Sequence, residues 1–149
     1  MKISKFKLAK VALLALFMIL TVLQLFSFPG QFANMREVDA IEIAIAAALT
    51  TFIFGLILCA QITIFCAWRI TNYMENDLFF TQESLTWVSR LVKSLKGALV
   101  FPIALILVIA PLADDPGVMV MLSTIALFVF SIFMIASLLR DQIRTKIAD

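Results

Sequence analysis

Residues 40–68 read AIEIAIAAALTTFIFGLILCAQITIFCAW, a run in which Glu42 is the one charged side chain. A helix of this length reaches about 43 Å at 1.5 Å per residue, which exceeds the roughly 30 Å of hydrocarbon in a bilayer. A helix that is apolar on every face suits a surrounding that is apolar on every face. The stretch therefore predicts a membrane span.

Working outward, the same texture recurs from Leu8 to Phe28, from Gly97 to Leu112 and from Val118 to Leu139. The run beginning at Gly97 is short, about 16 residues against the roughly 20 that a span needs. It reaches full length when Leu91, Val92 and Leu95 are included, because Arg90, Lys93 and Lys96 can extend their stems toward the interface. Across the 149 residues, 63% are apolar, well above the usual half of a soluble domain. The expected organisation is a single membrane domain, 1–149, with spans at about 8–28, 40–68, 91–112 and 117–139.

The charges orient these spans. Lys2, Lys5, Lys7 and Lys10 precede the first run, Arg69, Arg90, Lys93 and Lys96 separate the second from the third, and Arg140, Arg144 and Lys146 follow the fourth. Only Arg36 lies elsewhere. Basic residues near span ends stay on the cytoplasmic side, so the pattern predicts an all-α integral membrane protein, an up-down-up-down four-helix bundle with both termini cytoplasmic. Carboxylates divide evenly between the two sides, so the net charge of +2 reflects local asymmetry and not a nucleic-acid footprint. Lipid is the expected surrounding, and no direct nucleic-acid contact is expected.

Helix boundaries show in the local chemistry. Asp39 with Glu42 resembles a capping box, and Asp115 before Pro116 offers an N-cap followed by a first-turn proline. Short exterior loops make the first and second, and the third and fourth, helices antiparallel neighbours. The Lys-rich start resembles that of a signal peptide, but its apolar region is too long and no small-residue cleavage site follows Phe28, so a retained helix is expected. Pro102 removes a backbone hydrogen bond inside the third span and bends it. Residues 69–96 form the expected cytoplasmic loop, with an amphipathic helix from about 82. Thr81 is its N-cap, Glu83 sits in the first turn, and Phe80 and Leu85 hold the positions of a hydrophobic staple. Leu85, Val88, Val92 and Leu95 repeat at helical spacing, and Trp87 is expected near headgroup depth. A separate surface helix and the inner end of a long third helix fit this pattern equally.

Small residues recur every fourth position in the second run, at Ala47, Thr51, Gly55, Cys59, Thr63 and Ala67. Lipid supplies no hydrophobic drive to join helices, so close backbone approach at small residues is how spans pack. The stripe is expected in bundle packing, with a homodimer or partner interface left open. Gln24 and Gln61 are costly against lipid and are expected to bond between helices. Gln24 lies toward the exterior and Gln61 toward the cytoplasm, so they are not expected to pair. Glu42, at the exterior rim, reads as a cap rather than a proton-coupling carboxylate. Cys59 and Cys66, about 10 Å apart on one helix, cannot bridge each other. No catalytic constellation, phosphate-binding loop or metal-ligand cluster is present, so an enzyme, a cofactor and a metal are not expected.

The segment Asn76-Asp77-Leu78-Phe79-Phe80-Thr81-Gln82-Glu83, after Trp68-Arg69, resembles the bacterial family known as domain of unknown function 2975. That resemblance covers nearly the whole chain. It implies four spans, a Phe-Thr-x-Glu element at Phe80, Thr81 and Glu83 that opens a helix with a basic face, and an Asp-Asp-Pro-like turn at Asp114, Asp115 and Pro116. Asp77 departs from it, standing where a glycine-like turn residue is expected. The family resemblance brings no enzymatic activity with it and implies a place in the bacterial inner membrane, with at most a signalling or regulator-tethering role.

The leading expectation is a non-enzymatic membrane protein acting by protein contacts, either an accessory subunit of a membrane complex or a small membrane regulator. Its partners would be a membrane protein or a second copy, and a cytoplasmic regulator meeting Phe80, Thr81, Glu83, Trp87, Arg90 and Lys93. The alternatives are a small dimeric transporter or channel using Gln24, Glu42 and Gln61, and an immunity or stress-sensing protein.

Overall fold

A computed structural model describes residues 4–33, 40–110 and 116–148, and its regular elements are all helical. They are α1 (Lys5–Ala33), α2 (Ala40–Glu75), α3 (Gln82–Ile109) and α4 (Pro116–Ala148). Each contains a stretch long and apolar enough to cross a membrane, at Lys5–Phe26, Leu49–Glu75, Gln82–Val108 and Met119–Ala148.

The helices are longer than the spans read from the sequence. At 1.5 Å per residue, the 36 residues of α2 reach about 54 Å and the 33 of α4 about 50 Å, well beyond a hydrocarbon layer of roughly 30 Å. The expected loop at 69–96 is therefore corrected: α2 runs on to Glu75, and the non-helical link shrinks to residues 76–81. The amphipathic stretch from Gln82 is the continuous start of α3, not a separate surface helix. Likewise α1 continues past Phe28 to Ala33. Pro116 opens α4, whereas Arg36, Asp39, Asp114, Asp115 and the side chain of Glu42 lie outside what is described, and with them the two exterior caps.

The helices pack in chain order, α1 on α2, α2 on α3 and α3 on α4. A groove of about 390 Å³ is lined from all four, by Leu20, Ala60, Leu95 and Phe128 among others. Of the two inner helices, α3 has the more regular seam. Ser84, Val88, Val92, Leu95, Ala98, Pro102 and Leu105 are buried at spacings of three or four, the register of a helix packed between neighbours. Pro102 thus faces inward, on the packed side of the helix.

Two contacts gather four helix ends at one end of the molecule. Lys10 near the start of α1 forms an ion pair with Glu75 at the end of α2. The Lys146 ammonium of α4 sits 4.4 Å from the Phe80 ring centroid, just before α3 begins. The tight core lies at this end too. Ile70, Val88 and Ile143 join α2, α3 and α4 in one buried cluster, and Val92, Leu95 and Ala136 form the next layer. Further along, large residues such as Leu107 and Leu127 stay exposed. Within the spans Thr50, Thr51 and Thr124 each donate to the carbonyl four residues back, whereas the buried Ser84 hydroxyl has no partner among the described residues.

Candidate functional site

The link between α2 and α3 is built from two opposed helix ends. Asp77 takes a left-handed conformation with φ 57°. Leu78 N–H donates to the Tyr73 carbonyl at 2.9 Å and Asp77 N–H to that of Met74 at 3.4 Å, the pair of reverse bonds by which a helix closes on a left-handed residue. Asp77 thus performs the turn for which a glycine-like residue is expected. Thr81 then caps α3 from an extended backbone, its Oγ1 accepting from Ser84 N–H at 3.3 Å and donating to the Leu78 carbonyl at 2.8 Å. Glu83 occupies the first turn and accepts from the Tyr73 hydroxyl at 3.1 Å.

Because an L-residue is strained with positive φ, Asp77→Gly is expected to stabilise the fold by about 0.5 kcal/mol and Asp77→Val to destabilise it by about 1–2 kcal/mol. Helical circular dichroism followed through a detergent-denaturation series measures both; a loss of stability in the glycine variant would contradict this account of the turn.

The expected staple is altered. Phe79 and Leu85 both pack on the cluster of Ile70, Val88 and Ile143, while Phe80 is exposed, with Lys146 over one face and the Phe79 ring edge-on.

Trp87 organises the flank of the junction. The guanidinium carbons of Arg69 and Arg90 lie 4.9 and 4.6 Å from its ring centroid, and Phe65 meets it edge-on at 5.8 Å. Phe65 and Arg69 come from α2; the sequence marks Arg69 as a span-flanking charge beside Trp68 but pairs neither residue with Trp87, and the nearness of Trp68 and Arg69 to a tight turn is the signal for that pairing. Beside this stack an open groove of about 530 Å³ runs between α2 and α3 past Lys93 and Ser94 to Gly97. Arg69, Arg90 and Lys93 are exposed, and none has a carboxylate partner among the described residues.

The small-residue stripe turns toward α3 in its middle. A side-chain carbon on Gly55 would overlap the Phe101 ring, Cys59 lies beneath Gly97, and the Ser94 hydroxyl donates to the Cys59 carbonyl at 2.9 Å while accepting from Thr63 at 3.2 Å. Ala47 and Ala67 are half-buried, and Thr51 is exposed, so the stripe leaves this face toward the start of α2. Among the polar residues within the spans, Gln61 donates to Thr21 Oγ1 of α1 at 3.1 Å, and Gln24 is half-buried with its amide nitrogen unbonded among the described residues. The structure does not bring these two glutamines together in a hydrogen bond. Cys59 and Cys66 are both free thiols.

The family model described as protein of unknown function DUF2975 matches residues 30–145, the part that contains the whole junction. No curated protein and no solved structure matches the chain.

Proposed function

The chain belongs to the DUF2975 family, and we propose that it is a non-enzymatic bacterial inner-membrane protein that acts through protein contacts made at its α2–α3 junction. In this reading the four helices run up-down-up-down with both termini cytoplasmic. The junction then projects from the inner surface as an accessory-subunit or regulator-docking element.

One observation carries the reading. At the end of the molecule rich in Lys and Arg, Leu78 is 49% and Phe80 50% exposed on a turn held at both ends by caps. Large apolar groups facing water on a rigid turn are characteristic of contact surfaces. Thr81 and Glu83 are engaged in the cap and with Tyr73, which leaves Leu78 and Phe80 as its apolar anchors. Gln61 is tied to Thr21 of α1 within the bundle, which favours this reading over transport through the spans.

Purification from native membranes after crosslinking tests it. A reproducible partner is expected with the natural chain and is lost in the Leu78→Asp, Phe80→Asp double variant, with the helical content of the variant unchanged. A natural chain that purifies alone, or a partner retained by the double variant, would overturn the proposal.

A further inference from the structure

The groove between α2 and α3 carries a second reading, independent of the protein contacts above. We propose that it seats an anionic phospholipid, with the phosphate held by Arg90 and Lys93 beside Arg69, and one acyl chain running along the groove toward Gly97.

Its charge is the first argument. Arg69 and Arg90 are both drawn to one indole, and Lys93 follows on the same side of α3 as Arg90. Cation–π contact holds the guanidinium planes but does not neutralise them. None of the three cations meets a carboxylate among the described residues. A phosphodiester supplies the missing charge and accepts from arginine in a forked geometry that a neutral headgroup offers less strongly.

Depth is the second. The apolar part of α3 begins at Gly97, and Lys93 and Arg90 precede it by about 6 and 10 Å along the axis at 1.5 Å per residue. Lys93 thus falls within the layer, roughly 5–8 Å thick on each side, in which headgroups lie, and Arg90 stands just beyond it, within reach of its long side chain. Basic pockets between membrane helices at this level bind anionic lipids.

Shape is the third. Beyond the basic rim the groove is walled by Ile62, Phe65 and Cys66, almost without polar surface, and Gly97 leaves its floor open, with Cys59 Sγ, 3.8 Å from where a Cβ would stand, the one atom of another helix within 4 Å among the described residues. A free phosphate needs the rim alone. The apolar continuation suits a chain attached to that phosphate.

The test uses the full chain carrying Trp68→Phe, which leaves Trp87 as the sole tryptophan, excited selectively at the red edge of its absorption; Trp68 lines a different groove, between α1 and α2. Reconstituted into phosphatidylcholine vesicles, it is titrated with phosphatidylglycerol or phosphatidylcholine brominated on the acyl chains, and quenching of Trp87 is read. Half-maximal quenching is expected at a mole fraction at least ten-fold lower for the anionic lipid. Each charge removed, in Arg90→Gln and Lys93→Gln, should weaken that preference about five-fold, following roughly 1 kcal/mol per basic residue at an anionic surface. Lys5→Gln with Lys7→Gln, exposed at the same end, should leave it unchanged. Gly97→Leu should abolish the preferential quenching with every charge retained. Equal quenching by the two lipids overturns the proposal, as does an equal loss in the Lys5, Lys7 variant, which would mark a general surface attraction. Inorganic phosphate displacing the brominated lipid at millimolar concentration, or a Gly97→Leu variant with full preference, would show an ion site without a lipid seat. The partner test changes Leu78 and Phe80, which do not line this groove, so either proposal can fail alone.

Discussion

Gly55→Leu is expected to destabilise the folded protein by about 2–3 kcal/mol, the range for forcing bulk into a packed contact. Gly55 lies on the face of α2 where the Phe101 ring of α3 comes closest, and even a single methyl group would overlap that ring. Phe101 in turn meets Phe52 edge-on at 6.4 Å, and both border an apolar groove of about 340 Å³. The groove offers the ring an escape, so Gly55→Ala should cost no more than about 1 kcal/mol. A branched four-carbon side chain exceeds that escape. Unfolding in mixed lipid–denaturant micelles, followed by helical circular dichroism, measures the series. Combining Gly55→Leu with Phe101→Ala should recover more than half of the loss, because the large side chain then occupies the space of the ring. If Gly55→Leu unfolds as the natural chain does, the close approach of α2 to α3 at this point is refuted.

Ile143→Ala is expected to cost about 3 kcal/mol, within the usual range for truncating a fully buried aliphatic side chain. Ile143 has no exposed surface and packs with Ile70 and Val88, so one side chain on α4 joins three helices. Phe79, Leu85 and Trp87 pack around the same cluster. A cavity there should loosen the junction before it loosens the spans. Amide hydrogen exchange resolves this: protection should fall first at residues 70–92 and 139–147, and last in the middle of α2 and α4. Uniform loss of protection along all four helices would show that the cluster does not act locally. Leu127→Ala, which removes similar bulk from an exposed site in α4, should change stability by less than about 0.5 kcal/mol.

The two predictions differ in how far sequence alone supports them. Gly55 belongs to a stripe recognisable by its spacing, and the reason for small residues there is general. Its partner Phe101 is not recognisable, because the apolar run around it contains many large residues and nothing marks which of them faces α2. Thr81 was legible as a cap from residue type and position. The conformation of Asp77 was legible only as a need for a turn, which aspartate meets less easily than glycine but more easily than a branched residue. The Trp87 stack could have been inferred with the link placed at 76–81, since residues equally far from a tight turn on antiparallel helices face each other. Arg69 lies six positions before Glu75, and the corresponding position on α3 is Val88, next to Trp87. A loop assumed to occupy 69–96 hid that register.

From its sequence alone this protein is determined to have four apolar helices able to cross a membrane, basic clusters at one set of ends and a capped start for α3. These depend on composition, charge and local hydrogen bonding, all of which act over a few neighbouring residues. Tertiary structure decided that the helices pack in chain order with α2 and α3 innermost, that α2 and α4 run on past their apolar stretches, and that Arg69 and Arg90 converge on Trp87. The reason is the solvent. A helix in water announces its buried face by contrast with a polar one, but a helix in lipid is apolar all round, and its partners are chosen by shape. Only near the junction, where Arg90, Lys93 and Lys96 lie opposite the buried Val88, Val92 and Leu95, does the sequence regain that contrast.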